Sequence, residues 1–227
     1  MNTNNTYLAK NLLTSISYAT AALLILAVSF TLVEPQVMRA QTNTFKITQS
    51  VTAEISFLAT SSAVTMVGPL TGITGGNATG TTFVVVQTNS AGGYNMTLAF
   101  SNTPAMRGDA TGNTGIVNYG TTTEPTFNFV ASSSAVFAYT VNASTTADLD
   151  QSFRNNGSVC NAGAAWTANT CWMGASTTGF QIINRLVAAT TSATTTLQFR
   201  VNIPNNPSPA LQSDTYTATA TLTAVAQ

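Results

Sequence analysis

General acid–base catalysis needs two tunable groups held close together. Beyond the first forty residues the chain offers six acids for that role: Glu54, Asp109, Glu124, Asp148, Asp150 and Asp214. Only Asp148 and Asp150 are paired by spacing, because residues two apart share one side of an extended segment. They read first as polar residues of a loop or turn. With Asn155, Asn156 and Gly157 downstream, the second reading is an oxygen-rich calcium loop, although the spacing is not that of an EF-hand and Arg154 intrudes. A catalytic carboxylate pair comes last, since no acid-rich cleft is signalled around it.

The other catalytic chemistries find no footing. Histidine is absent, which removes a Ser–His–Asp nucleophile system. Lys46 sits mid-strand in this reading, a poor place for a base. Gly75-Gly76 is a turn with no lysine behind it, so no phosphate-cradling loop is present. No catalytic residue, cofactor or metal is therefore assigned, beyond Asp148 and Asp150 as weak calcium candidates. Cys160 and Cys171 are too few for a metal centre and lack redox spacing. In an exported chain they are expected to form a disulfide.

Trp166 and Trp172 flank that disulfide loop. Trp172, beside Cys171, is expected to pack in the core on the disulfide. Trp166, mid-loop, is the candidate for an exposed ligand contact, since indoles make stacking platforms for sugars. Arg107-Gly108-Asp109 is an RGD tripeptide in a glycine-rich stretch, and short tripeptides recur by chance. The sequons at Asn77, Asn95 and Asn142 have the same standing in so threonine-rich a chain.

The elements that must carry these residues read as all-β. Strands are expected at 45–51, with Ile55 and Phe57 continuing its parity, and again from Val64 and Met66. Phe83-Val84-Val85-Val86 is a continuous apolar run, as for a strand buried on both faces. Residues 94–100, 197–203 and 216–224 alternate cleanly, the last with threonines on one side. Phe127–Phe129 and Val136–Val141 are weaker signals in a loop-rich middle, 103–150. Turns are expected at 75–77, 91–93, 155–157 and 204–207. The predicted architecture is a single immunoglobulin-like or jelly-roll β-sandwich over 41–227, preceded by a signal or anchor helix.

Residues 1–40 read as a signal peptide or an uncleaved membrane anchor. Lys10 supplies the positive end, Ala19–Val28 the apolar run, and Pro35 a break. Ala40 precedes a candidate cut before Gln41, with Met38 imperfect three positions back. The wider stretch, residues 16–33, nearly spans a bilayer if it is retained. Membrane contact is expected only through those residues, and 41 onward would lie outside. Phe30–Glu34 mimics the start of a type IV pilin, but there the long apolar helix follows the motif, whereas here it precedes it.

Composition bounds the partners. Charged residues are 6% of the chain, against roughly 25% in an ordinary soluble domain. The formal net charge is zero and the seven basic residues are scattered, so nucleic acid is not an expected partner. A domain that forgoes charge is poorly soluble as a free monomer and suits a surface or an assembly.

The segment Ser213–Thr223 resembles the closing strand of exported bacterial β-sandwich proteins: fimbrial subunits, spore-coat-protein-U-like domains and WxL-type surface proteins. The shared pattern is a turn, a tyrosine, an alanine two residues on and a Leu-Thr pair. Asp214-Thr215 stands where a glycine commonly precedes the tyrosine. Phe45–Phe57 and Gly92–Leu98 fit the same architecture over residues 42–227. The Trp-x-Leu signatures are missing, so cell-wall binding by that route is not implied.

The resemblance and the charge-poor surface together imply a secreted or cell-surface, non-enzymatic structural protein, a self-assembling fimbrial- or coat-like subunit. Its partners would be itself, as a homopolymer, or other surface proteins. Segment 43–57 could add to a neighbour's sheet edge, or serve as its own domain's first strand. The alternative is an adhesin or glycan-binding module using the disulfide loop around Trp166.

Overall fold

The computed structural model describes residues 3–32, 44–120, 123–130 and 132–227, and divides into two units, Met1–Ser50 and Val51–Gln227. The first unit contains the helix α1, Thr3–Leu32. Within it Lys10–Ser29, 20 residues with a mean hydropathy of 1.9, is long and apolar enough to cross a membrane. At 1.5 Å per residue it spans about 30 Å, the thickness of a hydrocarbon core. A cleaved export signal has the same properties, and the helix is compatible with either. The candidate cut before Gln41, with Pro35, Met38 and Ala40, lies outside the described residues, as do Val33 and Glu34 of the pilin-like motif.

Residues 44–54 correct the sequence reading. The strand expected at 45–51 is not part of any sheet, and Phe45, Ile47 and Val51 are 79%, 83% and 84% exposed. Alternation decides which side chains share a face, but a strand also needs a partner for its backbone. Among the described residues none pairs with this segment.

Val51–Gln227 is built from strands and loops. In chain order the strands are β1 (Ile55–Ala59), β2 (Leu70–Thr71), β3 (Gly75–Thr88), β4 (Tyr94–Phe100), β5 (Arg107–Gly108) and β6 (Ile116–Asn118). Then come β7 (Ala135–Ala143), β8 (Met173–Gly174), β9 (Phe180–Arg185), β10 (Ala189–Ile203), β11 (Tyr216–Thr217) and β12 (Ala220–Ala226). The larger sheet runs β1-β3-β10-β7-β6, with β2 beside β3 and β8 beside β7. The smaller runs β12-β4-β9, and β5 with β11 makes a ribbon. All pairings are antiparallel except β6 with β7.

Period-2 patterning explains the core. Tyr94, Met96, Leu98 and Phe100 of β4 are buried, as are Leu197, Phe199, Val201 and Ile203 of β10. Together with Val84, Val86 and Phe137 they form one cluster drawn from both sheets. Gly93 closes the turn into β4 at φ 79°, where a side-chain carbon would sit 2.0 Å from the Arg185 carbonyl oxygen.

Strands at 94–100, 136–141 and 197–203 lie where alternation placed them, and the described residues of 103–134 hold only the short β5 and β6. Five expectations change. Residues 75–77 open β3 instead of forming a turn. Phe83–Val86 alternates, with Val84 and Val86 buried and Phe83 54% exposed, so this run is not covered on both faces. Val64 and Met66 pack on the core without forming a strand. Phe127–Phe129 is loop, tied in by the bridge from Thr126 to Trp172, the Cys171 N–H on the Phe127 carbonyl and the Tyr119 hydroxyl on the Asn128 carbonyl. Residues 216–224 break at Ala218-Thr219, so that β11 joins the ribbon and β12 the smaller sheet.

Candidate functional site

Asp148 and Asp150 end up near one another but are turned to different partners. Asp148, on the 3-10 turn Thr146–Asp148, forms an ion pair with Arg185 of β9. Asp150 caps the turn Gln151–Phe153, accepting the Ser152 N–H at 3.0 Å, while its other oxygen accepts Gln181 Nε2 at 2.9 Å. The asparagine oxygens of the calcium reading are engaged within their own loop. Asn155 Oδ1 accepts the Gly157 N–H at 3.0 Å and the Thr167 hydroxyl at 3.1 Å. Asn156 Oδ1 accepts the N–H groups of Ser158 and Val159 at 3.1 and 3.0 Å. Among the described residues no three His, Cys, Asp or Glu side chains gather as a metal site. These acids act as struts of the loop from 144 to 172.

Cys160 and Cys171 form the disulfide, with Cα atoms 5.7 Å apart and both residues buried. Replacing both with alanine is expected to lower stability by about 3 kcal/mol, since the closed loop is short. Urea denaturation with and without the bridge measures it, and an unchanged midpoint would sink the expectation. Trp166 is half-buried against the core, and its indole N–H donates to the Val141 carbonyl at 2.9 Å. One edge of the proposed sugar platform is thus occupied by backbone.

Trp172 is buried as expected, but not against the disulfide. It packs with Tyr119, Val136 and Ala138 on the face of β7 opposite the main core. Phe129 meets it edge-on at 5.8 Å and stacks on Tyr119 at 4.6 Å. The Arg200 guanidinium lies 3.9 Å from the Phe129 ring centre. Burial pulls its pKa below the ordinary arginine value, against a smaller opposing effect of Tyr119. No local pattern marks this group, because Phe129 and Arg200 are 71 residues apart on elements whose pairing the sequence does not specify.

The RGD residues are folded into the β5–β11 ribbon. Arg107 donates to the Thr103 carbonyl at 2.9 Å, and Asp109 accepts the Thr217 hydroxyl at 2.9 Å. Asp214 clips the same loop: its carboxylate accepts the Thr111 hydroxyl at 2.6 Å and the Thr111 N–H at 2.8 Å. Chiefly through those two bonds its pKa is lowered to about 2. The clip is therefore fully formed above the ordinary aspartate range and is lost as pH falls through about 2. Following the Ala110 and Thr111 amide shifts against pH should give a midpoint near 2; one near 4 would refute the clip.

A cleft of about 990 Å³ opens between the two sheets, lined by apolar side chains of both, among them Leu98, Phe100, Phe199 and Leu222. It exists because the smaller sheet stops at β12, whose inward residues Leu222 and Ala224 are only half-buried, whereas those of β4 beside it are covered. Sequence reasoning missed it, since it depends on which strand ends a sheet.

Comparison with known proteins brings no match: no family model, no curated protein and no solved structure matches this chain.

Proposed function

We propose that this chain is a non-enzymatic structural protein, exported to a cell surface, whose two sheets form a β-sandwich of immunoglobulin-like or jelly-roll type and whose copies assemble with one another. The observation that carries the reading is segment 44–51. It has strand patterning and, among the described residues, no sheet partner, and it holds Phe45, Ile47 and Val51 in solvent. Each would gain about 1.5–3 kcal/mol from full burial, so the segment favours any surface that covers it. The apolar helix and the disulfide are both compatible with export, and the scarcity of charge lowers the cost of bringing copies together.

Light scattering and electron microscopy on the full chain in detergent test this, with and without residues 44–51. The deletion stops at Val51 because β1 begins at Ile55 and pairs with β3. Oligomers or filaments that vanish on deletion are expected. A full chain that stays monomeric at every concentration would overturn the reading. Glycan binding at Trp166 has less support, since its N–H is taken by Val141. Loss of glycan-array binding in Trp166→Ala would bring it forward.

A further inference from the structure

We propose that Asn156 is a self-modifying site. In the folded protein the backbone nitrogen of Gly157 attacks the Asn156 side-chain amide, which loses ammonia and ends as aspartate or isoaspartate. Asn156-Gly157 is the one Asn-Gly step in the chain, and both residues are exposed. Three donors converge on Asn156 Oδ1: the Ser158 N–H at 3.1 Å, the Ser158 hydroxyl at 3.0 Å and the Val159 N–H at 3.0 Å. Oδ1 is the atom on which negative charge develops when a nucleophile adds to Cγ. The three donors are therefore placed as an oxyanion hole for that addition.

The nucleophile is held from the other side. The Gly157 N–H donates to Asn155 Oδ1 at 3.0 Å. Asn155 is fully buried, and its backbone exchanges hydrogen bonds with Ala165 at 2.8 and 3.2 Å, so this anchor is fixed. Holding both reacting groups in one short loop removes part of the entropic cost of bringing them together. Gly157 has no Cβ to crowd its nitrogen, and at φ 92° it adopts a backbone conformation that other residues rarely take. Asn113 makes the contrast. Its Oδ1 also accepts two donors, the Gly115 N–H at 2.8 Å and the Tyr216 hydroxyl at 3.0 Å. There Thr114 follows, and a β-branched side chain crowds the attacking nitrogen.

The step needs only water. Hydroxide takes the Gly157 amide proton, the bond from that nitrogen to Asn156 Cγ forms, and the Cγ–Nδ2 bond breaks to release ammonia. Water then opens the succinimide. Opening at Cγ gives aspartate, whose carboxylate keeps the three donors as charge-assisted bonds. Opening at the main-chain carbonyl carbon gives isoaspartate, with one more carbon in the backbone four residues before Cys160. Either product adds a negative charge to a chain whose formal net charge is zero, so charge accumulates with time after folding.

The test incubates the full chain in detergent at mildly alkaline pH, disulfide intact, folded or in concentrated urea. Peptide mass mapping and enzymatic isoaspartate methylation read the conversion at Asn156, with Asn113 as the internal reference. Asn156 is expected to convert about 10-fold faster in the folded chain than in urea, as oriented oxyanion donors require. Ser158→Ala, at an exposed position and checked for native circular dichroism, should slow the folded chain several-fold and leave the rate in urea unchanged. A folded chain that converts no faster than the unfolded one overturns the inference, because the three donors would then lock the amide instead of activating it. A Ser158→Ala variant that converts at the unaltered rate when folded overturns it as well.

Discussion

Trp172→Ala is expected to destabilise Val51–Gln227 by about 3–5 kcal/mol, the range for deleting a large buried aromatic. Trp172 is 1% exposed and is the largest fully buried side chain. Its removal leaves a cavity that Phe129 and Tyr119 cannot both fill without breaking their own stack. The loss continues outward. Trp172 also donates its indole N–H to the Asn169 carbonyl at 2.9 Å and exchanges backbone hydrogen bonds with Thr126 at 2.8 and 2.9 Å. The backbone bonds survive the substitution, so the loop from 123 to 130 loses the indole packing while it keeps the bonds of Thr126, the Cys171 N–H on the Phe127 carbonyl and the Tyr119 hydroxyl. Urea denaturation should show the shift, with a melting temperature lower by roughly 10 °C. Trp172→Phe should recover part of it. A cost below about 1 kcal/mol would mean that the aromatic group does not anchor the loop.

The second large effect is at Asp148. Asp148→Ala is expected to cost about 3–5 kcal/mol, because it leaves the Arg185 charge buried without its counter-ion. The two side chains are 9% and 16% exposed. Arg185 would keep only the carbonyls of Val187 and Ala188, each at 3.0 Å. The double variant Asp148→Leu with Arg185→Met should be much less destabilised than Asp148→Ala, since a matched apolar pair carries no stranded charge. Equal losses in the two would show that the site depends on shape instead of charge. Both are read from denaturant midpoints.

The residues that were legible in advance are those whose environment is written locally. β4 and the second half of β10 alternate so strictly that only one face can be the core, and Cys160 has only one partner available. The carboxylates were harder. Asp148 and Asp150 are two apart in sequence, and their spacing is compatible with a shared ligand, but Arg185 and Gln181 arrive from β9, which carried no clear alternation. Phe83–Val86 misled for a related reason: an apolar run reports hydrophobicity, not whether a second layer covers both faces. The cleft lay beyond local reading, since it is defined by where β12 ends its sheet. The exposed segment 44–51 was visible as a pattern, while its lack of a partner was not.

The arginines have a bearing on digestion. Trypsin needs a basic side chain swung free into its specificity pocket and several residues of backbone in extended form. Arg107, Arg154, Arg185 and Arg200 each have the guanidinium committed, to Thr103, to Leu149, to Asp148 and to Asn77 with Phe129. Lys46 sits in exposed chain with no regular structure. Among the described residues after α1 it is the bond after Lys46 that the enzyme meets ready to cut. Limited trypsinolysis would therefore trim the native protein at this point, separating Phe45 from Ile47 and leaving a resistant body that begins at Ile47.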